Sequence, residues 1–160
     1  MQVRSADADE IDHLARLWHD VWHETHAPLA PLEVTRLRTL ASFRDRLQAV
    51  LPNVYVVGPV HAPLGFCVLR GEELYQLFVS FEARGSGVAA ALIADAEARL
   101  AQRGVEIAWL ACAVGNRRAA RFYEKSGWHM SGTFVIPAET SRGPFPMEQW
   151  RYEKRLTRLT

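Results

Sequence analysis

The stretch Arg84-Gly85-Ser86-Gly87-Val88-Ala89 is the part of this chain best equipped to hold a charged ligand. Glycines let a backbone pass close to a ligand, and a helix starting at the second glycine leaves its first N–H groups without intrahelical partners. Free donors at the positive end of a helix dipole make an anion site that suits a pyrophosphate. The plain alternative is a glycine turn that only connects a strand to a helix. A Walker loop is excluded, because no Lys-Ser or Lys-Thr pair follows the glycines. Gly85-x-Gly87-x-x-Ala90 has the outline of a dinucleotide fingerprint. In that fold, however, the glycines follow the strand at once and an acidic residue ends the next strand. Here residues 80–84 intervene and Glu106 stands at the start of the next apolar run, so a nucleotide-dependent oxidoreductase is disfavoured.

Other reactive side chains are less organised. His13, His19, His23 and His26 crowd one N-terminal stretch, and the i, i+4 spacing of His19 and His23 puts both rings on one helix face, as in a zinc-binding helix. A third ligand is not evident, so no metal is expected. Cys67 and Cys112 lie inside apolar runs without a His partner nearby in sequence. They read as reduced core thiols and offer a poor covalent route.

Preceded by a strand over Glu73–Val79, the glycine loop fills the pattern Arg/Gln-x-x-Gly-x-Gly/Ala with Arg84, Gly87 and Ala89. This resembles motif A of the GCN5-related N-acetyltransferases (GNAT). Downstream, Asn116-Arg117-Arg118-Ala119-Ala120-Arg121-Phe122-Tyr123-Glu124-Lys125-Ser126-Gly127-Trp128 resembles motif B of the same family, with Trp128 where that motif usually has Phe. The resemblance covers nearly the whole chain. It implies an acetyl-CoA-dependent acyltransferase that moves the acetyl group to a primary amine by direct transfer in a ternary complex. The runner-up is a non-catalytic acyl-CoA sensor of the same fold.

Residue by residue, the resemblance implies that Leu77, Phe78 and Val79 offer backbone hydrogen bonds to pantetheine and the thioester carbonyl. Arg84, Gly85, Ser86, Gly87, Val88 and Ala89 would cradle the pyrophosphate. Asn116 either contacts the cofactor arm or simply caps a helix. Tyr123 matches the tyrosine that protonates the departing thiolate, its alternative being a ring packed on a helix. Arg117, Arg118 and Arg121 read mainly as a solvated helix face, from which one of them could meet the 3′-phosphate. A lysine-like amine costs about 4.6 kcal/mol to deprotonate at pH 7, which makes a base useful. Glu73 holds the position where several family members carry that base, and Glu72 is its rival, since a one-residue slip swaps strand faces. The alternatives are a solvated strand end and a water chain in place of a single base. Trp22, Thr25 and His26, with the loop at 28–31, would line the acceptor pocket, and the loop at 137–146 its opposite wall.

These residues need elements to position them. A short strand at Val3 precedes a helix capped by Asp7 or Asp9, with Ile11, Leu14, Leu17, Trp18, Val21 and Trp22 at helical spacing. A second helix is expected over about 32–50, with Leu37, Leu40, Phe43 and Leu47 as its apolar stripe. Strands follow at 54–57, 64–69 and 73–79, a helix at 87–103, a buried strand at 105–114, a helix capped by Asn116 and ending at Gly127, and strands near 131–136 and 147–155. Together with the resemblance, this gives an α/β fold. Its central sheet is mixed and mostly antiparallel, with helices on both faces and a splay between strands four and five.

The chain has 160 residues, 49% hydrophobic and 23% charged, with a net charge of +1. That is the composition of one globular domain, read here as a single unit over 1–160. A near-neutral balance argues against nucleic acid as a partner. No apolar run reaches membrane-spanning length and the first ten residues are polar, so no membrane role is expected and the location is read as cytoplasmic. The partner is a small-molecule or peptide amine, and exposed strand edges leave room for a homodimer.

Overall fold

The computed structural model describes residues 1–156. The last four residues of the expected 1–160 unit lie outside the described residues. In chain order the elements are β1 (Val3–Ser5), α1 (Ile11–Thr25), α2 (Leu32–Leu37), α3 (Leu40–Val50), β2 (Val54–Val57), β3 (Gly65–Arg70) and β4 (Glu73–Val79). There follow α4 (Val88–Gln102), β5 (Ile107–Ala113), α5 (Arg117–Lys125), β6 (His129–Val135), β7 (Ala138–Thr140), β8 (Gly143–Phe145) and β9 (Glu148–Arg155).

Local chemistry sets the helix boundaries. The Asp7 carboxylate accepts from the Asp9 amide at 2.9 Å, while Glu10 reaches back to the Asp7 amide at 2.7 Å, so both sides of a capping box are made. Arg4 clamps the fully buried Glu10 with two bonds of 2.7 and 2.9 Å, tying β1 to the start of α1. Within α1, Ile11, Leu14, Leu17, Trp18, Val21 and Trp22 are all buried, as the periodicity predicts. The expected helix over 32–50 is instead two helices. Thr39 caps α3 by accepting from the Ser42 amide at 3.1 Å, and Arg38 leaves helical geometry at ψ 61°. Arg38 is thereby turned into the molecule rather than carried on a helix surface.

Seven strands form one sheet in the order β1-β2-β3-β4-β5-β9-β6, antiparallel everywhere except between β4 and β5. That parallel pair is registered only at Glu73 and Trp109, with the Trp109 amide donating to the Glu72 carbonyl at 3.2 Å. Beyond this point the strands splay apart, leaving an edge of β4 and an edge of β5 unpaired in the middle of the sheet. The expected splay between strands four and five is therefore present. β5 departs from expectation: its exposure alternates along the strand, because one face lines the opening instead of being buried on both sides. The loop after β6 holds a hairpin, β7–β8, that sequence patterning does not reveal.

Two cores flank the sheet. On one face α4 and α5 pack over Cys67, Leu69, Leu74, Leu110 and Tyr152. On the other, α1 and α3 pack over Val54, Val56, Phe66, Val68 and Phe78. Trp18 is the largest fully buried side chain of the second core and touches Phe43, Phe66 and Phe78. Truncating such a residue to Ala costs about 3–5 kcal/mol. Gly65 lets α4 lie directly on β3, since a Cβ there would fall 2.8 Å from Val88 and 3.1 Å from Leu92. That close approach fixes where the N-terminus of α4 points.

Candidate active site

Two clefts open at the splay. The first runs along the N-terminus of α4 and has a volume of about 400 Å³. Gly85 (φ 78°) and Gly87 (φ 92°) turn the chain there, in a conformation that L-residues rarely adopt. A Cβ built on either glycine meets nothing within 4 Å, so both backbones face open space. Gly87 is the N-cap and carries no side chain to occupy the first amides of the helix, and the first turn holds no acidic residue. Arg84, Gly85, Gly87, Val88, Ala89 and Ala90 line this cleft, so the residues expected to cradle an anion face an open cleft at a helix N-terminus. Farther along, Val21, Phe122 and Val79 give it an apolar stretch suited to a pantetheine arm.

Two expected residues sit differently. The Ser86 hydroxyl donates to the Ala83 carbonyl, and its amide bonds to the same carbonyl at 3.3 Å. Ser86 thus closes the turn and does not line the cleft. Thr25 lines this first cleft and not the second, because the end of α1 passes between the two, with Val21 and Thr25 on one side and Trp18 and Trp22 on the other. Of the three arginines in motif B, Arg118 lies on the cleft wall.

The second cleft, of about 150 Å³, lies between β4, the α1–α3 layer and the β7–β8 hairpin. Trp18, Trp22, Phe78, Val34 and Met147 make its apolar walls, with Arg38, Arg46, Arg70, Glu73 and Glu139 as its charged groups. Glu73 reaches this cleft because of a β-bulge. Val68 pairs with Gln76 and Leu69 with Leu74, so Tyr75 has no partner on β3. The extra residue reverses the alternation along β4 and brings Glu73 to the same face as Phe78, five positions away. In a regular strand that separation would place them on opposite faces. Glu72 is exposed and outside the cleft wall.

Glu73 is buried against Arg70, whose Nη2 and Nε lie 3.1 and 3.3 Å from its Oε1. Burial raises its carboxyl above the ordinary value, and Arg70 opposes that only in part. Glu73 and Phe78 are separated by roughly 15 Å of backbone along β4, too far for a direct contact between them.

The clefts meet at His26, Leu77, Phe78, Asn116, Ala119 and Tyr123, which line both. Burial raises the Tyr123 phenol, keeping it protonated at neutral pH and able to donate. Asn116 does its capping work, accepting from the Ala119 amide at 3.3 Å, and also faces both clefts. Both readings of Asn116 are thus compatible in one residue. His26 stacks on Trp22 with centroids 6.0 Å apart. The Thr25 hydroxyl donates its only proton to the Val21 carbonyl at 2.7 Å, so its 2.7 Å contact with His26 Nδ1 must be accepted from the ring. This assigns the proton to Nδ1 and leaves Nε2 as an acceptor. Burial, with help from Arg38, lowers His26 to about 4, so the ring is neutral.

The remaining candidates are structural. His23 Nε2 bonds to the Arg38 carbonyl at 2.6 Å and His19 Nδ1 to Asp20 at 2.9 Å. Among the described residues no group of three His, Cys, Asp or Glu is placed to hold a metal ion. Cys67 and Cys112 are free and buried, and burial pushes both thiols up to about 12, far from a reactive thiolate. Sequence reasoning missed Arg38, Arg46 and Glu139. Only the helix break and the hairpin bring them to the cleft, and neither has a strong local signature. Among the described residues no helix is long and apolar enough to cross a membrane.

Comparison with known proteins agrees with this architecture. The model of the Acetyltransferase (GNAT) family matches residues 18–128, which include both glycine-loop and motif B segments. No curated protein matches the chain. Among solved structures, a GCN5-related N-acetyltransferase from Rhodopseudomonas palustris superposes with a TM-score of 0.76 at 20% identity, over 97% of this chain and 95% of that one. The ribosomal-protein-alanine N-acetyltransferase of Brucella melitensis gives 0.73 at 18% identity, over 98% and 100%. The PaiA N-acetyltransferase of Thermoplasma acidophilum, solved in complex with coenzyme A, gives 0.65 at 17% identity, over 96% and 98%. With the splayed sheet, the glycine cradle and the family match on one chain, this protein belongs to the Acetyltransferase (GNAT) family.

Proposed function

We propose that this protein is an acetyl-CoA-dependent N-acetyltransferase that acetylates a small primary amine by direct transfer. The observation that carries the reading is the meeting of two clefts at Tyr123: an anion cradle with an apolar arm on one side, and a charged, aromatic-walled cavity on the other. Acetyl-CoA supplies an activated acyl group, and the N-terminal amides of α4, with Gly85 and Gly87, hold its pyrophosphate. The related Thermoplasma enzyme solved with coenzyme A supports this assignment.

In this reading the free edge of β4 at Leu77–Val79 polarises the thioester carbonyl through its amides. The amine nitrogen forms the new C–N bond as the C–S bond breaks. Tyr123 donates its proton to the sulfur, and solvent restores it. The proton lost by the amine passes through water to Glu73, whose raised carboxyl value makes it a better base than an exposed glutamate. His26, neutral and with Nε2 bare, accepts a hydrogen bond from the incoming amine and orients it. Asn116 and Trp22 shape the two sides of the passage.

The test is release of the coenzyme A thiol from acetyl-CoA across a panel of amines. Amine-dependent release supports the transferase. Tight acetyl-CoA binding without release for any amine would instead establish an acyl-CoA sensor.

A further inference from the structure

The acceptor cavity has an unbalanced charge pattern. Its lining holds Arg38, Arg46 and Arg70 against Glu73 and Glu139. Arg70 serves both acids, with Nη2 3.1 Å from Glu73 and Nη1 2.6 Å from Glu139. That leaves two guanidinium groups without a carboxylate partner among the described residues. Arg38 donates only to the main-chain carbonyl of Glu139, and Arg46 only to the Tyr75 hydroxyl at 3.0 Å. The Nε atoms of both are buried with no hydrogen-bond partner. Arg38 is only 5% exposed.

Buried, unpartnered guanidinium N–H groups are costly unless something answers them. The Trp22 ring lies 5.6 Å from Arg38 and the Trp18 ring 4.4 Å from Arg46, so aromatic faces offset part of that cost. They satisfy no N–H in the guanidinium plane. Burial, and then the charge of Arg46, lower Arg38 to about 10, so it stays a cation at neutral pH while the pair repels. An anion bound in the cavity that both side chains line offsets the repulsion between these two cations. A planar, two-oxygen carboxylate fits the guanidinium fork best.

We propose that the acceptor is an amino-acid-like molecule, with its carboxylate bound by Arg38 and Arg46 and its amine directed to the passage at His26 and Tyr123. This rests on the acetyltransferase reading of the same site. The cavity volume of about 150 Å³ and its Trp22, Phe78, Val34 and Met147 walls suit a single amino acid with an apolar side chain. A polycationic amine would set its charges against the two arginines. An internal peptide amine carries no carboxylate at this range.

The experiment first measures acetyl-CoA binding by calorimetry, then thiol release with α- and ω-amino acids, each beside its own carboxamide. The expected result is acetyl-CoA binding, and a kcat/KM for at least one acid roughly 30-fold or more above its amide, as a charged hydrogen-bonded pair gives. Arg38→Met and Arg46→Gln bring that ratio towards one. The wild-type comparison stands even if a variant fails to fold. The proposal is overturned if amides match or exceed their acids, or if acetyl-CoA binds and no acid is acetylated. Failure of acetyl-CoA to bind removes the acetyltransferase reading and this one with it.

Discussion

The two clefts are built from different materials. The cofactor side is made mostly of backbone: two glycines at positive φ, the open amides of α4 and the unpaired edge of β4. These backbone parts come from residues 73–90, close together in sequence, while Val21 and Phe122 add the apolar stretch. The acceptor side is made of side chains from α1, α2, α3, β3, β4 and the β7–β8 hairpin, which meet only after folding. A backbone-built site depends on conformation and tolerates side-chain drift, so it suits a ligand shared by many proteins. A side-chain-built site can change its chemistry one residue at a time, so it suits the ligand that distinguishes them.

If that contrast is right, the largest effect comes from breaking the backbone side. Gly87→Val should lower acetyl-CoA affinity on the order of 100-fold, through strain at φ 92° and intrusion into the cradle. Gly104→Val is the control. Gly104 has a similar φ of 86° and lies beyond the C-terminal end of α4, so calorimetry should show acetyl-CoA affinity retained.

At the junction, Tyr123→Phe should lower kcat roughly 100-fold, the lower range for a lost proton donor. Its acetyl-CoA affinity should stay within a few-fold, as steady-state rates beside calorimetry would show. An unchanged kcat would return Tyr123 to a packing role. Deeper in the acceptor side, Glu73→Gln should reduce kcat roughly tenfold, less than direct proton transfer would cost, because the carboxylate works through water. The acidic limb of the pH–rate profile should flatten in this variant.

A separate effect is expected on stability rather than on rate or affinity. His26 is lowered in the folded protein to about 4 from 6.5, so the folded state binds its proton more weakly than the unfolded chain. Stability from this group is full above pH 6.5 and is lost as pH falls through about 4, at no more than about 1.4 kcal/mol per pH unit. Thermal melts over this window should fall more steeply for wild type than for His26→Gln. Parallel curves would mean the ring is not held neutral by burial.

The same contrast explains what the sequence disclosed. The α1 stripe from Ile11 to Trp22 and the loop from Arg84 to Ala89 were legible because period and glycine spacing are local properties. So was the splay between strands four and five, through the family resemblance. The acceptor side was legible only in part. Trp22 and His26 line the second cleft, whereas Thr25 lines only the first, and Ser86 is used up inside its own turn. The choice between Glu73 and Glu72 turned on a bulge at Tyr75, which a count along a regular strand cannot contain. Arg38 falls inside one expected helix over 32–50, and only the Thr39 cap of a new helix shows that the chain breaks there. Glu139 reads as part of a loop until β7 and β8 pair.

The most direct test of the central claim is calorimetric titration of the wild-type protein with acetyl-CoA, run beside NADH and ATP at equal concentration. The account predicts one saturable acetyl-CoA site per chain, with NADH and ATP bound far more weakly. Equal binding of all three, or no acetyl-CoA binding, would contradict it and leave the glycine loop as a turn.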